Sequence, residues 1–455
     1  MPTSDDDALG AIRFGYGLRP DRAPPPASGI ADALRRPDPT EQAFPLPPRE
    51  IVDSHQAELR RMRKKVEAGD PAAVARDAVI RAEKRAFLKT IHRTVVARAL
   101  DSQVPFRQRL TMFWADHFTV STTALDQQLY IGGFLDQTIA ANMAGPFADL
   151  LKAVITEPMM LTYLDQLSSI GPHSRAGIGS KRGLNENLAR EFIELHTLGV
   201  GGRYTQTDIR EMAELLTGLS YSNETGFRFD IEIAEPGGEN VLGRTYGGPR
   251  PLFRDILAAM DDIAVHPDTA RHISHKLAVH FVSDDPDADL VDAMADAWQA
   301  SGGDLPSVYA AMLDHPAAWS RPRAKIKPPF DLVLSTLNAL GLTGQDIMRM
   351  DEGLLDQKVV GPMSAMGQPF FQAPGPDGWP ENPRGWITPQ RLAFRIRWAM
   401  DAPGRLVPQL PDPRDFLTVA LGDAASERLR FAAEAAETPQ QGIGLVVASP
   451  EFNRR

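Results

Sequence analysis

The 455-residue chain has no cysteine. That excludes disulfides, zinc–thiolate sites, iron–sulfur ligation and cysteine nucleophiles. It has no apolar run of the roughly 18 residues that a membrane-spanning helix needs. It also lacks a basic excess. Lys plus Arg is 49 against 59 for Asp plus Glu, a formal charge of −10. A general nucleic-acid binder needs the opposite balance. Residues 1–10 contain Asp5, Asp6 and Asp7 and no apolar stretch, so they read as neither a secretory signal nor a transit peptide. The cytoplasm is therefore the default compartment. What remains, 43% hydrophobic and 24% charged residues, is the composition of a soluble globular protein.

Periodicity predicts a mainly all-α architecture, a multi-helical globular unit of one large domain spanning 1–455. Residues 1–48 form a Pro-rich, largely extended segment with a short helix near 30–34. Residues 49–100 form a helical hairpin broken at Gly69-Asp70-Pro71, where Gly ends one helix and Asp caps the next with Pro in its first turn. Residues 101–221 are the densest helical stretch. A small β-ribbon is expected over 222–250, because Phe227, Phe229, Ile231 and Ile233 alternate with charged residues. Helices return over 251–345, a Gly/Pro/Trp loop covers 346–395, and helices close the chain over 396–455. Glu157-Pro158, His266-Pro267, His315-Pro316 and Ser449-Pro450 each follow an apolar helical run and predict helix-to-helix corners.

The residues able to carry chemistry are few. Leu110, Phe113, Trp114 and His117 share one helical stripe, so His117 is either a hydrogen-bonded core histidine or a catalytic or ligand group. Asp116 points about 100° away from it. In Asn185–His196, Leu188, Phe192 and Leu195 share an apolar face, while Arg190, Glu191 and Glu194 cluster on one flank. Arg190 offers an anion fork, or a salt bridge that locks helices together. The spacing is not the HExxH of a zinc helix, and no phosphate-loop glycine pattern occurs, so the sequence names no cofactor and leaves metal binding open. His272 and His275 lie off an apolar face and read as exposed bystanders. Asp165 is a cap or a site residue. Thr205-Gln206-Thr207-Asp208 predicts a capping box. The basic run Arg60, Arg61, Arg63, Lys64 and Lys65 reads as a solvated face or a patch for a partner.

Several blocks taken together carry a resemblance. Phe113-Trp114…His117-Phe118-Thr119-Val120-Ser121, Met160–Asp165, Asn185-Glu186-Asn187-Leu188-Ala189-Arg190-Glu191 through Val200, Gly367-Gln368-Pro369, Gln372-Ala373-Pro374 and Gly378-Trp379-Pro380 resemble the signature blocks of a bacterial family known as domain of unknown function 1800. The resemblance covers nearly the whole chain. It implies a mostly helical protein, often encoded beside a sulfatase-like or alkaline-phosphatase-like protein that tends to be exported. That makes a docking role, and co-export to the periplasm, the alternative reading. Many relatives carry a His-Asp pair where this chain has Ala234-Glu235-Pro236-Gly237, so a shared metal site is not implied. The blocks are expected to converge on one cleft holding His117, Asp165, Asn185, Glu186, Arg190, Glu191 and His196. Gln368, Gln372 and Trp379 would form its roof. A set of His, carboxylate, Arg and amide groups suits acid–base chemistry of hydrolytic or transfer type.

Overall fold

The computed structural model describes residues 5–180, 183–320 and 323–455. Most of the sequence-predicted helices form, and local chemistry sets their ends. Arg49–Glu67 and Pro71–Asp101 make the expected hairpin. Gly69 takes a φ of +75° at the turn, and the Asp70 carboxylate accepts from the Ala73 N–H at 2.9 Å. Arg76 bridges to Glu58 across the hairpin at 2.8 Å. The distal half of the hairpin is solvated, whereas Ile91–Leu100 is largely buried and anchors it.

Three of the four predicted proline corners join helices, and the fourth, Ser449-Pro450, ends its helix in turns. His266 and His315 each accept a backbone N–H two residues on, at 3.1 and 3.2 Å through Nδ1, so both are caps. Thr205 and Asp208 complete a capping box that opens Gln206–Leu215. The helices Pro267–Phe281, Ala288–Ser301 and Leu305–Asp314 pack in succession, and Pro389–Asp401 packs on Pro439–Ala448. One contiguous core runs from Phe14 to Phe452, with Trp114 and Trp298 fully buried in it.

Three expectations need correction. The ribbon is two separate antiparallel hairpins, Leu219–Ser222 with Gly226–Phe229 and Gly237–Val241 with Arg244–Gly248. Ile231 and Ile233 are not strand: the Asp230 carboxylate accepts from the Glu232 N–H at 3.2 Å and turns the chain. The stretch 346–395 is only partly loop. Thr343 and Asp346 cap Gly344–Arg349, Asp351 caps Glu352–Leu355, and helical turns continue to Ala365. Within 1–48, Asp5–Arg13 is helical, and Asp38-Pro39 opens a second unforeseen helix, Pro39–Ala43, by the same Asp-Pro device seen at residue 70. No helix among the described residues is long and apolar enough to cross a membrane.

Candidate functional site

The helix Pro105–His117 divides the site in two. Its apolar stripe carries His117 into the core, and the 100° step between neighbours turns Asp116 the other way. Asp116 meets the loop that follows Ala365. Gly378, at φ +84°, lets that loop press close, since a Cβ there would lie 2.8 Å from the Asp116 carbonyl oxygen. The Trp379 N–H then donates to Asp116 Oδ1 at 3.0 Å. The result is a cleft enclosing about 90 Å³, walled by aromatic rings that include Phe330, Phe370, Trp379 and Trp386. Its polar groups are Arg109, Asp116, His280, Asp331, Gln368 and Glu381.

Two carboxyl groups in this cleft are driven in opposite directions. Burial, reinforced by the nearby negative charge of Glu381, pushes the Asp116 carboxyl up to about 7, against the pull of the Trp379 N–H and Lys276. Burial also opposes ionisation of Glu381. There His280 Nδ1 at 2.5 Å and Lys325 Nζ at 2.8 Å overcome it and hold the carboxyl well below the usual range. Arg109 and Arg455 flank Asp331 at 2.9 and 3.0 Å. The Lys276 ammonium has no hydrogen bond or ion pair among the described residues. Burial lowers its pKa, and the fields of Asp116, Glu381 and Asp377 partly restore it.

The predicted site residues fall into separate groups. His117 and His196 come together, 2% and 1% exposed, behind the cleft rather than in it. His117 Nε2 donates to the His196 carbonyl at 3.3 Å, which fixes its tautomer and leaves Nδ1 a buried acceptor with no hydrogen-bond partner among the described residues. Burial and the nearby Lys276 drive both imidazoles well below their ordinary pKa, His196 to about 3. His272 is half-buried, not a bystander, and its Nε2 donates to the Leu195 carbonyl at 3.1 Å. Glu186 and Glu194 flank Arg190 at 2.9 and 3.6 Å on the helix surface. Glu191 is half-buried, and burial with the adjacent Glu194 raises its pKa. Asn185 and Asp165 serve turns: Asn185 Nδ2 donates to the Asp165 carbonyl at 3.3 Å, Asn185 Oδ1 accepts from the Asn187 N–H, and Asp165 sits at φ +55°. Gln368 accepts from the Phe330 N–H at 2.8 Å and so shapes the cleft wall. Trp379 lines the cleft, and Gln372 stands outside its lining.

Asp116, Glu381, His280, Arg109 and Asp331 are cleft residues that the sequence reading passed over, as is Lys325, which pairs with Glu381 from outside the lining. A signal existed for Asp116. It is an acid on an aromatic helix with Met112 and Val120 four residues away on either side, so it has neither a helical ion pair nor a cap to serve. Among the described residues, the group of three carboxylates with ligand atoms within 4.8 Å of one another is Glu211, Glu214 and Glu239. Burial and the two neighbouring acids push Glu239 up to about 8, which relieves part of the repulsion in this cluster, and none of its members lines the cleft.

Fold and site thus define a mainly helical protein in which an acid-bearing aromatic cleft is backed by buried histidines. The chain belongs to the DUF1800 family, described as "Protein of unknown function (DUF1800)", whose family model matches residues 11–454. No curated protein and no solved structure matches it.

Proposed function

We propose that this protein is an enzyme of hydrolytic or transfer type, with Asp116 as the proton donor and acceptor in the aromatic cleft. One observation carries the reading: a carboxyl group facing an aromatic cavity with its pKa pushed up to about 7, beside a second carboxyl held ionised. Two carboxyls forced apart in this way supply an acid and an anion at the same pH. Asp116 would protonate a leaving oxygen or nitrogen and recover the proton from the incoming nucleophile. Glu381 would set the field, with His280 and Lys325 fixing it in place. The aromatic walls keep competing water from the transfer. His117 and His196 support the helices that present Asp116 and do not reach the cleft themselves.

A panel of chromogenic esters, phosphate esters and glycosides, assayed with the wild type and with Asp116→Asn, tests this. Loss of roughly a hundredfold or more in turnover, with a fall in wild-type activity above about pH 7, is expected of a general acid. Unchanged turnover in Asp116→Asn would refute the assignment. A docking role for the basic arm toward a sulfatase-like partner finds less support, since Asn223 and Glu224 meet Arg60 and Glu67 meets Arg63.

A further inference from the structure

A second cavity, of about 350 Å³, lies beside the aromatic cleft. That volume falls within the range of roughly 300–1,000 Å³ usual for ligand sites. Val120 lines both spaces, and the next residue, Ser121, donates from Oγ to the Ala373 carbonyl at 2.8 Å, which closes the wall between them.

One side of this cavity is a rigid polar wall. Asp53 accepts from the Tyr130 hydroxyl at 2.7 Å, from the Tyr221 hydroxyl, and from Asn223 Nδ2 at 3.2 Å. Asn223 Nδ2 also donates to the Tyr130 oxygen at 2.6 Å. These groups satisfy one another, so the tyrosine rings are held in fixed orientations. The cationic groups at the cavity are already paired, and the Asp53 carboxylate is met by neutral donors. Lys84 pairs with Asp126 at 2.7 Å, and Arg60 donates to Asn223 Oδ1 at 2.9 Å with Glu224 at 3.9 Å. Three neutral groups are left over. The Gln56 amide and the Tyr163 hydroxyl have no hydrogen bond among the described residues, and Gln127 uses only its Oε1, for Thr122.

We propose that this cavity binds a neutral, polyhydroxylated ligand, a saccharide unit in chemical class. Fixed aromatic faces suit the C–H face of a pyranose ring. Spare amide and hydroxyl groups suit a ligand whose every polar group both donates and accepts. With both cations already paired an anion finds no free partner, and a cation would have to displace the neutral donors that saturate Asp53. The proposal does not depend on the role given to Asp116.

Isothermal titration of the full chain with cellobiose, maltose and N,N′-diacetylchitobiose tests it, with glucose 6-phosphate as the charged control. Saturable binding of at least one disaccharide is expected. Gln56→Ala and Gln127→Ala should each weaken it about fivefold, the worth of one neutral hydrogen bond, and Gln56→Ala should do so without lowering the melting temperature. Gln56 has no internal hydrogen bond to lose, so its variant keeps the fold intact. Asp116→Asn should bind as the wild type does, which separates this site from the catalytic reading. Absence of binding by all three disaccharides, wild-type affinity in both Gln variants, preference for the phosphate, or loss of binding in Asp116→Asn would each overturn the proposal.

Discussion

Asp116→Asn should raise stability at alkaline pH while leaving it nearly unchanged in acid. Burial lifts the Asp116 pKa from 3.8 in the unfolded chain to about 7 in the fold. Below pH 3.8 the group is protonated in both states and costs nothing. Between the two values folding takes up a proton, so stability falls as pH rises. Above about 7 the carboxylate is buried in charged form and the whole cost is felt. At 1.36 kcal/mol for each pKa unit, that cost is about 4 kcal/mol at pH 8 and about 1.7 kcal/mol at pH 5. Asparagine has nearly the same shape, can still accept from the Trp379 N–H, and carries no charge at either pH. The advantage of the variant should therefore grow by about 2.5 kcal/mol between pH 5 and pH 8. A chain of this length unfolds with an entropy of about 1 kcal/mol/K, so the gap in melting temperature should widen by about 2–3 °C. Calorimetric scans of both proteins at half-unit pH steps measure it, and titrating groups remote from Asp116 cancel in the difference. A gap that is flat with pH, or a wild type that gains on the variant in alkali, would show that Asp116 does not titrate near neutrality. The proton-donor reading would fall with it.

Three further substitutions probe how the cleft is held. Tyr309→Phe leaves the Trp114 indole N–H, now bonded at 2.6 Å, without an acceptor and frees the Met143 carbonyl, so urea unfolding should show a loss of about 1–3 kcal/mol. Asp331→Ala strands the buried guanidinium groups of Arg109 and Arg455, and chemical denaturation should register about 3–5 kcal/mol. Gly199→Ala forces a side chain into φ +87°, where the left-handed backbone alone costs about 1–2 kcal/mol, with its Cβ 2.6 Å from His272 Nδ1. The variant should unfold at a lower temperature, with a displaced His272 imidazole resonance.

Helix ends were legible in the sequence because they rest on local chemistry. Asp70-Pro71, Thr205…Asp208 and His266-Pro267 each satisfy orphan N–H groups within a few residues, and no distant partner can override that. The β-ribbon was legible in kind but not in register, since the Asp230 turn competes with strand periodicity over the same residues. The candidate site was less legible for a geometric reason. Faces of Asn185–His196 were assigned at a constant 100° per residue, yet Phe192–Thr197 is a π-helix, whose wider turn changes the phase. Phe134–Ala140 and Asp356–Val360 are π segments too. The Asp116–Glu381 relation joins residues 265 positions apart through a loop whose course follows from packing against Asp116, which periodicity does not carry.

The signature histidines gain a role once the end of that π-helix is considered. A helix leaves its last carbonyls without intrahelical partners, and in a buried setting each orphan is costly. Here the helix ends at Thr197, and the Leu195 and His196 carbonyls are taken by His272 and His117. Those two imidazoles stand on Pro267–Phe281 and Pro105–His117, the helices that also carry Lys276 and His280, and Asp116, to the cleft. Both imidazoles are held neutral by burial, which suits a fixed donor and not a group that must change charge. The histidines thus join three helices at one point, and the relative placement of two of those helices fixes the distance from Asp116 to Glu381 through His280. Of the groups that read in sequence as reactive, His117 in space ties down the helix that carries the acid one residue away.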